Sequence, residues 1–207
     1  LLDEAQGGFG ADMWEDTPRI VVERLLPRLP TILAGRAGRA LTRRLLLSNA
    51  RPPVGDTKQA NLVALRVDQL LAMGDFAAAT ELLSVAPGRD TDPDLMRVAV
   101  QVHLYDYNHE KACSLVRKSA GKFESGFWQR TLVFCQALAG EKTEALFGLD
   151  LLSETGEADD AFIALIEVLV GGDVKESIPG QASPLMLALR QAVGWPVPAV
   201  YVVSRSP

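Results

Sequence analysis

From about residue 58 onward, apolar positions recur at the three- and four-residue spacing of helices, while the segment before it is less regular. Residues 1–13 hold Gly7, Gly8 and Gly10 with little periodic apolarity, which predicts a loose leader over 1–16. Asp16-Thr17-Pro18 reads as a helix start, with Thr17 able to cap orphan amides and Pro18 at the first helical position, where its missing N–H does no harm. That helix runs to about Leu26, and Pro27 and Pro30 break it. A second run from about Thr31 to Asn49 spaces Leu33, Ala37, Ala40, Leu41 and Leu45 helically among arginines, so 17–50 is expected to be a basic helical pair. The breaker cluster Arg51-Pro52-Pro53-Val54-Gly55-Asp56 separates it from a helical-repeat domain over 58–194, and 195–207 is expected to be an extended tail.

The repeat rests on three stretches: Gly74-Asp75-Phe76-Ala77-Ala78-Ala79, Tyr107-Asn108-His109-Glu110-Lys111-Ala112 and Gly140-Glu141-Lys142-Thr143-Glu144-Ala145, in which Ala79, Ala112 and Ala145 recur every 33 residues. In the same frame Val67, Val100 and Val133 coincide, as do Leu71, Leu104 and Ala137, and Leu83, Val116 and Leu149. An Ala early in a second helix lets two antiparallel helices approach closely, and Gly74 and Gly140 relax the turn between them. One such hairpin cannot bury its apolar face alone, so stacked neighbours are expected from about 58 to 153. A degenerate fourth hairpin starts with a helix over about Ala158–Leu169 and turns at Gly171-Gly172-Asp173, and a further helix covers Pro184–Val193.

The stretch Leu70-Leu71-Ala72-Met73-Gly74-Asp75-Phe76-Ala77-Ala78-Ala79-Thr80-Glu81-Leu82-Leu83 resembles the turn and second helix of a tetratricopeptide repeat. The later copies depart from that pattern: Tyr107 stands for the turn glycine, Lys142 for the usual aromatic, and no closing proline is in register. The resemblance covers about residues 58–153 and implies an all-α, right-handed α-solenoid of antiparallel helical hairpins. It also implies a groove lined by the first helix of each hairpin. There Arg97 and Arg130 occupy one repeat position, with Ala64 at the first copy, and Asp68, Gln101 and Phe134 occupy the position one turn later. Forked guanidinium donors at such a place could clamp a carboxylate or an acidic segment; a solvated helix face is the alternative.

Composition adds that 48% of the 207 residues are hydrophobic, enough for a real core, whereas only 6% are aromatic, a balance that suits helices better than a sandwich of strands. No stretch offers the roughly 20 apolar residues of a membrane span. The chain starts Leu1-Leu2-Asp3-Glu4 without Met or a secretory leader, which reads as a processed form or a piece of a longer chain. Net charge is −5, yet residues 17–54 carry eight arginines against Glu23 alone. Arg36, Arg39, Arg43 and Arg44 thus form a basic patch that either seeks an anionic surface or docks on the acidic remainder of the chain.

Signatures for phosphate loops, nucleophile elbows and helical zinc sites are absent. His103, Asp106 and His109 imitate a metal spacing but straddle a turn, so no metal is expected. Asp159-Asp160 and Asp90, Asp92 and Asp94 precede helices, where capping accounts for them. Cys113 and Cys135 are the only cysteines and sit at similar heights on consecutive helices; they form either a disulfide, and with it an oxidising compartment such as a bacterial periplasm, or two separate buried thiols in a cytoplasmic protein. The expected function is a non-enzymatic interaction or scaffold module for another protein or peptide, without a small-molecule cofactor, with nucleic acid the less favoured partner. An auxiliary helical domain of a cell-envelope enzyme and an anionic-surface binder are the alternatives.

Overall fold

A computed structural model describes residues 1–31, 35–55, 61–173 and 183–196. Among them are ten α-helices and no strand beyond two isolated bridges. The described residues divide into two compact units, one through Val98 and one from Ala99, so the dividing line falls inside a helix rather than at the proline cluster 51–56.

In the first unit, α1 (Arg19–Leu25) and α2 (Arg36–Leu47) precede the hairpin α3 (Leu62–Ala72) and α4 (Phe76–Ser84), and α5 (Pro93–Tyr105) begins there. Pro18, not Thr17, stands at the cap of α1, and the Thr17 hydroxyl donates to the Glu15 carbonyl at 3.5 Å. Helix α2 starts at Arg36, after Gly35 at its cap, rather than at Thr31, and Leu33 lies outside the described residues. The leader is not loose. The Leu2 amide donates to Leu47 O at 2.8 Å, the Asn49 amide to Leu2 O at 2.9 Å, and the Arg51 amide to Ala11 O at 2.9 Å. Its glycines serve contact rather than freedom: a Cβ on Gly8 would stand 2.4 Å from Leu2 O. Val22, Leu26, Leu46, Val67, Leu70, Met73, Ala79 and Leu82 form the core. The half-buried Arg66 donates to the carbonyls of Leu46 and Ser48 at the end of α2, and desolvation lowers its pKa to about 10.

The second unit holds the rest of α5, then α6 (His109–Ser119), α7 (Gly126–Leu138), α8 (Lys142–Glu154), α9 (Asp160–Leu169) and α10 (Pro184–Ala192). Helices α7 and α8 pair across a short turn, α9 packs on both, and α10 packs on α9 and α7. The tail expected over 195–207 lies outside the described residues from 197 on.

The turns at Gly74, Tyr107 and Gly140 close alike. Asp75, Asn108 and Glu141 amides donate to the carbonyls of Leu70, His103 and Gln136, and the residues just before them donate to Leu71, Leu104 and Ala137. This paired closure needs a left-handed residue after each helix, and Gly74, Tyr107 and Gly140 supply it at φ 73°, 54° and 75°. Ala79, Ala112 and Ala145 are fully buried, as small residues at a close helix contact should be. Gly171 and Gly172 close α9 in the same manner, onto Val168 and Glu167.

Candidate binding site

In the first unit the groove pair is self-satisfied. Arg97 Nη1 and Nη2 reach Asp68 Oδ1 and Oδ2 at 3.1 and 2.6 Å, a two-pronged bridge between α5 and α3. Burial works against the guanidinium charge, but the hydrogen bond and charge of Asp68, with Asp94 behind, outweigh it and raise the Arg97 pKa. The pairing was legible in retrospect, because a cation in one copy and an acid one turn further on in the preceding copy meet when hairpins stack.

In the second unit the equivalent residues are Gln101 on α5 and Arg130 on α7, and both line a cavity of about 220 Å³. Phe127 of α7, Phe162 of α9 and Met186 of α10 give it apolar walls, and Asp159 and Ser183 stand at its edge. The two edge residues are occupied as helix caps: Asp159 Oδ1 accepts from the Phe162 amide at 2.8 Å, and Ser183 Oγ from the Met186 amide at 3.2 Å. Arg130 Nε donates to the Gly126 carbonyl at 3.2 Å, which steadies the side chain along its own helix. Among the described residues Arg130 forms no ion pair. The repeat frame could not have found Asp159, Phe162, Ser183 and Met186, because α9 and α10 leave the 33-residue register.

Phe134 is a correction. It is fully buried, with its ring 5.5 Å from that of His109, and so belongs to the core and cannot meet a partner. Position on a helix one turn from an accessible residue did not decide exposure, because α6 covers it. His109 itself lies 3.0 Å from Gln191 Oε1 through Nε2. Burial, helped by Lys111 and opposed by Asp106, lowers the pKa of His103. Among the described residues no group of three or more His, Cys, Asp or Glu could hold a metal ion.

The basic patch is largely engaged within the first unit. Arg39 Nη2 donates to Met73 O at 2.8 Å, Arg43 Nε pairs with Asp75 Oδ2 at 2.6 Å, and Arg44 lies 4.3 Å from the Phe9 ring centre while donating to Gly8 O. Arg36 is exposed. Cys113 on α6 and Cys135 on α7 are joined as a disulfide, with Cα atoms 5.4 Å apart.

The described residues thus define an all-helical chain whose second unit carries a disulfide staple and a small cavity of mixed polarity. No protein-family model, curated protein or solved structure matches it. Among the described residues no helix is long and apolar enough to cross a membrane.

Proposed function

We propose that this chain is a non-enzymatic interaction module of tetratricopeptide-like hairpins, of the right-handed α-solenoid type, that holds a peptide or partner protein in the cavity of its second unit. The observation that carries the reading is Arg130: a cation with no ion-pair partner among the described residues, set among Phe127, Phe162 and Met186. A few convergent polar groups in an apolar hollow are what recognition of a side chain requires. The recurrence of the turn hydrogen bonds and of the buried alanines every 33 residues supports the repeat class. The Cys113–Cys135 bond supports an oxidising compartment such as a bacterial periplasm, since cytosolic thiols are kept reduced. Engagement of Arg39, Arg43 and Arg44 by their own chain speaks against the basic helix as the binding element.

The reading is tested by replacing Phe127 with the photoreactive p-benzoylphenylalanine in native cells and mapping what becomes cross-linked. A discrete adduct that disappears in the Arg130→Ala background, with an unchanged melting temperature, is the expected result. Persistence of the adduct without Arg130, or no adduct at all, places binding elsewhere.

A further inference from the structure

Helix α8 is apolar on two faces, and its own hairpin needs only one of them. Ala145, Leu149 and Leu152 are buried, and Gly148 brings α8 so close to α7 that a Cβ there would stand 2.7 Å from Val133 Cγ2. On the outer side Phe147 is 73% exposed and Leu151, one turn on, 49%. With Leu132 of α7 they line an open hollow of about 300 Å³ between the two helices, floored at Gly148. Exposing a phenylalanine to this degree costs solvation free energy that the hairpin does not recover, which is the signature of a contact surface.

Charge says what would cover it. At 100° per residue, Glu144 falls on one flank of the Phe147–Leu151 stripe and Asp150 and Glu154 on the other. All three are exposed, and none forms an ion pair among the described residues. The one base of α8, Lys142, lies on the other side of the helix, with Nζ close to Gly171. The α7 wall contributes neutral Gln129 and Gln136. A second copy seated here through the same face would set these carboxylates against one another, and an anionic lipid surface would be repelled. We propose that the α7–α8 groove docks an amphipathic helix of a partner protein, whose apolar residues at i and i+4 enter the hollow over Gly148 while flanking lysines or arginines meet Glu144 on one rim and Asp150 and Glu154 on the other. The groove shares no lining residue with the Arg130 cavity, so the two surfaces stand or fall separately.

Two fluorescein-labelled helical peptides with the same Leu/Phe face, one flanked by Lys and one by Glu, serve as probes, and binding to the full chain is read by anisotropy. The Lys-flanked peptide should bind at least about tenfold more tightly, a gap of about 1.4 kcal/mol, and weaken as salt rises. Phe147→Ser should lower its affinity by about tenfold or more with the helical circular dichroism and melting temperature retained. The combined Glu144→Gln, Asp150→Asn, Glu154→Gln variant should erase the preference between the peptides. Equal affinity for both peptides, or binding indifferent to Phe147→Ser, overturns the proposal. So does self-association in sedimentation that Phe147→Ser abolishes, because it assigns the groove to a second copy.

Discussion

Arg97 and Arg130 stand 33 residues apart in sequence, yet their pairing differs because of a single neighbour. An aspartate one turn along the preceding first helix fills the Arg97 fork, whereas Gln101 at the matching place carries no charge to neutralise Arg130. Turn residues show a similar dependence on one atom. Gly140 sits at φ 75°, and a Cβ built on it would meet nothing within 4 Å, so the penalty for a side chain there is backbone strain alone. Gly140→Ala should therefore cost about 1 kcal/mol in urea unfolding, and Gly140→Asn less, because Asn tolerates the left-handed region. Tyr107 already bears that cost at φ 54° in the middle copy, where its ring lies 6.4 Å from that of His109.

Between elements, the quality of each hairpin follows from its cap and its smallest residue. Asp75 and Asn108 cap α4 and α6 by accepting from the Ala78 and Lys111 amides, while Glu141, one methylene longer than Asp75, leaves α8 without a side-chain cap. Ala112 is fully buried early in α6, at the place where the repeat pattern requires a small side chain. Ala112→Leu should overpack that contact and destabilise by roughly 1–3 kcal/mol. An unchanged denaturation midpoint would mean that α6 can shift to accept the larger side chain, contrary to the repeat register. The leader shows the opposite use of a small residue: Gly8 is needed because Leu2 O approaches it, and the segment is held by pairing with the end of α2.

For the molecule as a whole, the disulfide matters most in the unit from Ala99, where it ties α6 to α7 across 22 residues of sequence. By the loop-entropy argument, closing a loop of that size restricts the unfolded chain by about 3 kcal/mol. The Cys113→Ala, Cys135→Ala double variant should lose about that much in chemical denaturation relative to the oxidised protein. Reductant should then have no further effect on it. The sequence alone determined the helical class, the three turns and the buried alanines, because these depend on local spacing: a 3.6-residue period, a left-handed closing residue and a small side chain recur wherever the hairpin recurs. It also placed Cys113 and Cys135 at similar heights on consecutive helices, and the structure joins them. Tertiary structure alone decided that Phe134 is buried under α6, that the glycine-rich leader is strapped to α2, and that the cavity is completed by α9 and α10. Each of these turns on which neighbour covers a residue across a long stretch of sequence, and spacing within one helix carries no record of that.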